Sequence, residues 1–191
     1  TTKTPFSEED RVDNPVSLYA ATKKSNELMA HVYSKLYGIP TTGLRFFTVY
    51  GPWGRPDMAP MLFTKAILAG LPIKVFNNGN LSRDFTYIDN VVQMNILAMT
   101  AENPEAVNQI YNTAFGERTT LNQLIGYLKE FLSEFDPEIA NIEIQHGPNR
   151  VGDIPHSLAC IDKAKDLLGY NPQYSMRDGL KEAVRWYWEN I

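Results

Sequence analysis

The feature that most constrains the fold is the segment 41–50, which is rich in β-branched and aromatic residues and ends at Gly51-Pro52. It has the length of a strand and a nearly continuous apolar character, which is typical of a strand buried on both faces of a parallel sheet. A helical pattern over 14–37 precedes it and is closed by Gly38. Because helical and strand-like segments alternate along the rest of the chain, the sequence predicts an α/β protein.

The remaining elements follow from periodicity, capping residues and turns. The first helix is expected to begin at Asn14 as its N-cap, with Pro15 in the first helical position. Further helices are expected over 60–69, 90–100, 121–131, 163–168 and 176–189, with Asp89, Thr120, Asp162 and Ser175 at or near the amino ends of the last four. Further strands are expected over 73–76, 83–87, 109–112 and 142–145.

The charge and composition argue against several classes of function. The net charge is −4 and the basic residues form no stripe, so nucleic-acid binding has little support. No segment approaches the ~20 apolar residues of a membrane span and the amino end has no signal-peptide core, so we expect a cytoplasmic protein. The single cysteine, Cys160, allows no internal disulfide and is interpreted as a small buried apolar side chain. The three histidines lack the spacing of metal ligands, and no metal site is predicted.

Tyr19 and Lys23 are the pair that points most directly to chemistry. Four residues apart on a helix, their side chains lie one turn apart on the same face. A phenol has an ordinary pKa of about 10, and bringing it near neutrality takes about 4 kcal/mol of differential stabilisation. An adjacent ammonium and a cationic nicotinamide ring supply stabilisation of that sign. The resulting tyrosinate is a base able to remove a hydroxyl proton while hydride leaves the attached carbon.

The same pair also fits two ordinary neighbours on a helix surface, because this spacing is common by chance. The surrounding sequence favours the chemical interpretation. The small residues Ala20 and Ala21 leave room for a flat ligand, and the helix leads into the strand at 41–50 and then into the Gly- and Pro-rich loop 51–57.

Four segments, in order, resemble the extended short-chain dehydrogenases, and within them most closely the UDP-glucuronate 4-epimerases. They are Asn14-Pro-Val-Ser-Leu-Tyr-Ala-Ala-Thr-Lys23, Leu44-Arg-Phe-Phe-Thr-Val-Tyr-Gly-Pro-Trp-Gly-Arg-Pro-Asp57, Arg83-Asp-Phe-Thr-Tyr-Ile-Asp89 and Arg150-Val-Gly-Asp153. The resemblance extends over essentially the whole chain. It implies the last part of a Rossmann-type parallel sheet joined to a smaller α/β substrate domain, with NAD as cofactor.

The resemblance also implies a role for each matching residue. Tyr19 would be the catalytic base and Lys23 its partner, which also binds the nicotinamide ribose; Phe46 would lie at the cofactor. The residues expected to bind a UDP-sugar are Phe47 and Thr48 at the sugar and diphosphate, Arg55 at a sugar carboxylate, Val75 and Phe76 at the uracil, Arg83 and Arg150 on the diphosphate, and Asp153 on a ribose hydroxyl. Each also has a plainer interpretation: Thr48 as an ordinary strand residue, Arg55 as a solvated side chain, and Arg83 and Arg150 as partners of Asp84 and Asp153 in local ion pairs.

The resemblance also indicates what this sequence lacks. No glycine-rich dinucleotide-binding turn occurs, and the family's catalytic Ser or Thr would precede Thr1. We therefore expect a carboxy-terminal part of a longer enzyme, inactive by itself. Residues 1–52 would be the end of the NAD-binding domain, and 53–191 mostly the substrate domain, with some segments returning to the first.

Three alternatives stay open for substrate and role. Thr48 and Arg55 favour interconversion of UDP-glucuronate and UDP-galacturonate for surface polysaccharide, whereas the tail 150–170 resembles UDP-N-acetylhexosamine 4-epimerases more closely. A dehydratase is less favoured, because the acid pair that would mark one falls upstream. A non-catalytic nucleotide-binding or dimer-forming module is the alternative from another class. The resemblance also implies a homodimer that pairs through the helix with Tyr19 and Lys23.

Overall fold

The computed structural model describes residues 3–148 and 155–191, and within them it confirms the α/β class. The helices are α1 (Leu18–Tyr37), α2 (Ala59–Leu68), α3 (Ile88–Met99), α4 (Leu121–Leu132), α5 (Asp162–Leu168) and α6 (Met176–Asn190). The strands are β1 (Gly43–Phe46), β2 (Thr48–Tyr50), β3 (Ile73–Val75), β4 (Ser82–Arg83), β5 (Phe85–Tyr87), β6 (Ile110–Thr113), β7 (Thr119–Thr120) and β8 (Ile144–His146).

The strand pairs are mostly parallel. β1 pairs with β6, β2 with β5 and β3 with β8, all in parallel, whereas the short β4 and β7 are antiparallel. Parallel strands need crossover connections, which here contain the helices between them. This arrangement agrees with the alternation of helices and strands in the sequence.

The first helix begins later than expected. Ser17, not Asn14, is its N-cap, and the Ser17 hydroxyl accepts a hydrogen bond from the Ala20 amide at 3.1 Å. The expectation for Asn14 and Pro15 is therefore wrong, since a serine three residues further on satisfies the helix's amide donors. The carboxy end is as expected, with Gly38 in the left-handed conformation (φ 64°).

The segment 41–50 is not one strand but two, which change partner between Phe47 and Thr48. The Phe47 amide donates to the Thr113 carbonyl, whereas the Thr48 amide donates to the Asp84 carbonyl. The expectation of burial on both faces also fails, because Tyr50 alone is fully buried among residues 43–50. The segment 83–87 is likewise divided at Asp84 into β4 and β5.

The other boundaries lie within about two residues of expectation, with small corrections at the caps. The Thr120 cap is confirmed, with Gln123 completing a capping box, and Ser175 caps α6 through the Asp178 amide. Asp89 and Asp162 lie inside the first turns of α3 and α5, where a carboxylate interacts favourably with the helix dipole.

Two groups of buried side chains hold the elements together. The larger fills the space between α2, α4 and α6 and the strands β2, β3 and β5, and the smaller joins α3, α5 and β6. Cys160 is only half-buried, so its expected burial is corrected; its thiol contacts Asp162 at 3.4 Å. Among the described residues, none of the helices combines the length and apolar character of a membrane span, and His, Cys, Asp and Glu form no group that could hold a metal.

Candidate functional site

A cavity of about 740 Å³ opens between α2, β3 and the strand pair β2–β5. Most of its wall is apolar, with a few polar and charged groups, which is the usual character of a small-molecule site. Its lining is Thr48, Asp57, Met58, Ala59, Leu62, Phe63, Ala66, Leu71, Pro72, Lys74, Phe76, Leu81, Arg83, Phe85 and Leu121. Three of the residues predicted to bind substrate, Thr48, Phe76 and Arg83, are thus brought together from distant parts of the chain.

The alternating directions of strand side chains decide which residues of β3 reach this cavity. Val75 is 1% exposed and packs in the larger core, whereas Lys74 and Phe76, on either side of it, line the cavity. Successive side chains of a strand point to opposite faces, so Val75 and Phe76 do not face the same ligand. The side chain of Val75 therefore does not line this cavity, whereas Lys74, which the sequence does not single out, does line it.

The partner change at Phe47 separates two more of the predicted residues. Phe47 packs against the smaller core and lies 6.4 Å from the Phe6 ring, away from the cavity that Thr48 lines. Phe46 is 52% exposed at the end of β1. The structure thus brings Thr48 to the cavity and leaves Phe46 and Phe47 outside it.

Asp84 is a buried carboxylate with a role that the sequence does not predict. It accepts hydrogen bonds from the backbone amides of Phe115, Gly116 and Ala159, at 3.1–3.3 Å. These bonds join the chain at Asp84 to the segments at 115–116 and at 159. Burial raises the pKa of Asp84 to about 6, although these amides act in the opposite direction. The sequence signal was an acidic residue inside a run of strand-forming residues, where a charge needs several donors. Arg83 itself donates to the Ser82 carbonyl at 3.0 Å.

The loop 51–57 carries an ion pair at the edge of the cavity. Arg55 Nε and Nη2 lie 3.0 and 2.6 Å from the two carboxylate oxygens of Asp57, and Asp57 lines the cavity. The pKa of Arg55 is raised chiefly by its hydrogen bond to Asp57, with a smaller electrostatic contribution from Tyr19.

Tyr19 and Lys23 lie one turn apart on α1, as the spacing predicts. Lys23 Nζ is 5.2 Å from the centre of the Tyr19 ring, within cation–π range. Tyr19 is 68% exposed, and α1 contains no buried residue. Neither side chain is among those that line the cavity, and both are exposed.

The exposed face around Tyr19 and Lys23 is compatible with an NAD cofactor. The Lys23 ammonium and the Tyr19 hydroxyl are both accessible, and Ala20 and Ala21 add little bulk between them. These groups suit a ribose hydroxyl and a flat nicotinamide ring. Arg150 and Asp153, predicted to bind diphosphate and ribose, lie outside the described residues.

Comparison with known proteins shows the family to which this chain belongs. The model of the NAD dependent epimerase/dehydratase family matches residues 1–114, and the chain belongs to that family. The α/β fold is therefore of the Rossmann type, and the cofactor of the family is NAD.

Particular relatives are similar over nearly all of this chain. A probable UDP-glucuronate 4-epimerase of Rhizobium meliloti is 40% identical over 98% of the chain and 58% of its own length. The structure of UDP-glucuronic acid 4-epimerase from Bacillus cereus, in complex with UDP-glucuronic acid and NAD, is 31% identical, with a TM-score of 0.82 over 96% of this chain and 56% of that one. The structure of a UDP-N-acetylglucosamine 4-epimerase from Methanobrevibacter ruminantium is 30% identical, with a TM-score of 0.87 over 100% of this chain and 59% of that one. This chain therefore spans somewhat more than half the length of these relatives.

Proposed function

We propose that this chain is the substrate-binding part of a UDP-glucuronate 4-epimerase. The observation that carries the proposal is the cavity in which Thr48, Phe76 and Arg83 meet, with the Arg55–Asp57 ion pair at its edge. An apolar wall with an aromatic side chain suits a nucleobase, and guanidinium groups suit phosphate and carboxylate oxygens. The 40% identity to the Rhizobium enzyme supports the same substrate.

The residues of the chain divide the chemistry between binding and proton transfer. Arg83, together with Arg150 outside the described residues, holds the diphosphate and anchors the sugar. Tyr19 takes the proton of the sugar 4-hydroxyl and later returns it, and the Lys23 ammonium stabilises the phenolate. When bound, NAD supplies the reversible hydride transfer at C4. The 4-keto sugar turns over in the cavity between the two transfers, so the configuration at C4 is inverted with no net redox change.

Binding measurements with this chain test the nucleotide site directly. We expect calorimetric titration to show binding of UDP and UDP-glucuronate but not of NAD, because the chain has no glycine-rich turn. Arg83→Met should weaken UDP binding by roughly tenfold or more, since one charge-assisted contact is removed. Failure of the wild-type chain to bind any uridine nucleotide would favour a purely structural module instead.

The reaction itself is tested by joining the chain to the cofactor-binding half of its parent enzyme. Conversion of UDP-glucuronate should be lost in Tyr19→Phe while UDP binding is retained. Turnover that survived this substitution would refute the proposed base. The chain alone should be inactive under the same conditions.

The same assay addresses the second candidate substrate, UDP-N-acetylglucosamine. The similarity of the whole fold to the Methanobrevibacter enzyme, with a TM-score of 0.87, supports this alternative. Faster conversion of the N-acetylated sugar than of the uronate would identify it as the substrate. We place the activity in the cytoplasm, in supply of sugars for surface polysaccharide.

Self-association through α1 is part of this proposal. Leu28, Val32 and Leu36 are 58%, 48% and 69% exposed and follow one another at four-residue intervals, which makes an apolar stripe. A homodimer that pairs α1 with its counterpart would cover this stripe. Sedimentation of the joined protein should give a dimer, and Leu36→Glu should give a monomer.

A further inference from the structure

We propose that Asp57 is an internal competitor for Arg55, a carboxylate that exchanges with the carboxylate of the substrate on the same guanidinium. The inference rests on the proposed function, because it concerns how a uronate would be gripped and released. Asp57 thereby determines specificity, since it affects only sugars that carry a carboxylate.

The first observation is the geometry of the ion pair. Arg55 Nε and Nη2 bind the two oxygens of Asp57 side by side, at 3.0 and 2.6 Å. This is the bidentate arrangement by which arginine also binds a ligand carboxylate. A uronate bound by that edge of Arg55 has to displace Asp57, and a uronate bound by the other edge lies near a second negative charge.

The second observation is that the ion pair is open to solvent. The side chains of Arg55 and Asp57 are 70% and 64% exposed. Exposed pairs of this kind are weak, because water and salt screen the attraction. The carboxylate of a substrate that is held by its diphosphate can therefore compete with Asp57 for the guanidinium of Arg55.

The third observation is that contacts without the Asp57 side chain hold the loop. The Tyr187 hydroxyl of α6 donates to the Gly51 carbonyl at 3.3 Å, and the Trp53 ring lies 5.2 Å from that of Trp186. The Gly54 amide also donates to the Gly51 carbonyl, at 3.1 Å. Removing the carboxylate of Asp57 should therefore release the Arg55 side chain while the backbone stays in place.

The exchange solves a problem that the reaction raises. An epimerase that passes through a 4-keto sugar has to turn that sugar between the two hydride transfers, and a permanent grip on its carboxylate would oppose the turn. Asp57 gives Arg55 an alternative partner while the sugar carboxylate is away. The grip then becomes reversible, and the guanidinium keeps a carboxylate partner throughout.

Calorimetric titration of the chain with UDP, UDP-glucose and UDP-glucuronate tests the exchange. Asp57→Asn should tighten binding of UDP-glucuronate by roughly two- to tenfold, because a weak competing pair and a nearby negative charge are removed. Binding of UDP and UDP-glucose should change by less than about twofold. In an Arg55→Met background, Asp57→Asn should no longer produce the specific gain.

A second readout is the titration of Asp57 itself, followed by the carbon-13 signal of its carboxyl group. The Arg55 hydrogen bond holds the pKa of Asp57 below its ordinary value. Saturation with UDP-glucuronate should raise that pKa towards the ordinary value, whereas UDP-glucose should leave it unchanged. A residue that merely stiffened the loop would not respond to the sugar carboxylate.

The outcomes separate this inference from the proposed function. Equal effects of Asp57→Asn on all three ligands, weaker binding of UDP-glucuronate, or an Asp57 pKa that ignores the ligand would each overturn the exchange while the nucleotide site stands. Absence of binding of any of the ligands to the wild-type chain would overturn the site and the exchange together.

Discussion

Gly179 of α6 lies directly against Tyr50 at the end of β2, with no room for a side chain between them. A Cβ atom at position 179 would overlap the Tyr50 hydroxyl and would lie 2.7 Å from Cβ and Cγ of Tyr87. Tyr50 donates its hydroxyl to the Met176 carbonyl at 3.0 Å, so helix and strand are also joined by a buried hydrogen bond. This contact fixes the helix that supports the loop with Arg55.

Gly179→Ala should destabilise the protein by about 2–3 kcal/mol, since the overlap separates α6 from the strands. Gly126→Ala is the matched control in α4, because an added Cβ there meets no atom within 4 Å. It should stabilise the protein by about 0.5–1 kcal/mol through the better helix propensity of alanine. Urea unfolding of both variants checks the pair, and equal effects would contradict the contact.

Asp84 should make the protein less stable as the pH rises through the weakly acidic range. Its carboxyl has an ordinary pKa near 3.9, and burial raises this value to about 6 in the folded state. The folded state then binds more protons than the unfolded state between these values, so stability is highest below them and falls by up to about 3 kcal/mol as the pH rises through about 6. Asp84→Asn should remove this slope from unfolding free energies measured between about pH 4 and 7. A slope that survives the substitution would show that another group causes it.

The contact between Glu27 and Arg45 should support the attachment of α1. Arg45 donates to the Glu27 carboxylate at 2.7 and 3.0 Å, and both side chains are largely covered. Arg45→Met should lower the free energy of unfolding by about 1–2 kcal/mol, a value between those of exposed and buried ion pairs. The exposed pair Arg185–Glu189 in α6 provides the control, where Arg185→Met should change stability by less than about 0.5 kcal/mol.

The same contact predicts an acid-side pH dependence of the opposite sign. Burial opposes ionisation of Glu27, but the hydrogen bonds from Arg45 and Lys24 outweigh it and lower the pKa of Glu27. Its contribution is therefore present above the ordinary pKa of about 4.3 and is lost as the pH falls through the lower folded value. Arg45→Met should reduce this loss of stability when unfolding is measured at acid pH. If the free energy of unfolding of the variant fell with pH as steeply as that of the wild type, other carboxylates would be the cause.

The turn beside the cavity offers a test that links stability to binding. Gly79 has φ +70°, and an added Cβ would overlap the side-chain amide of Asn122, which donates to the Asn78 carbonyl at 3.0 Å. Gly79→Ala should lower the free energy of unfolding by about 2 kcal/mol or more, because of this overlap and the left-handed backbone. It should also weaken UDP binding, because Phe76 and Leu81 on either side of the turn line the cavity.

Gly70→Ala is the matched control for that turn. Gly70 has a similar φ of +63°, but nothing lies within 4 Å of an added Cβ. It should lower the free energy of unfolding by about 1–2 kcal/mol through backbone strain. It should weaken UDP binding less than Gly79→Ala does, because the added Cβ displaces no neighbour beside Leu71 and Pro72 of the cavity wall. Equal losses of UDP affinity in the two variants would show that the Asn122 contact does not shape the cavity.

The local pattern of the sequence sufficed for the elements and for one part of the site. Tyr19 and Lys23 are neighbours because a helix returns to the same face every four residues, which needs no tertiary information. The Thr120 and Ser175 caps are local in the same sense. Asn14 and Ser17 offer the same capping chemistry three residues apart, and only the structure shows that the helix uses Ser17.

Local sequence patterns therefore suffice to predict the α/β class, the Tyr19–Lys23 pair and the residue types that suit a sugar nucleotide. Only the folded chain shows that Thr48, Phe76 and Arg83 share one cavity, that Phe47 and Val75 turn their side chains into the cores, and that Asp84 accepts hydrogen bonds from backbone amides. The alternation along a strand separates its side chains into two sets, but it does not tell which set faces the core and which faces the cavity. That depends on the strands with which it pairs. The partner change at Phe47 and Thr48, made through hydrogen bonds to Thr113 and Asp84, decides which of their side chains faces the cavity.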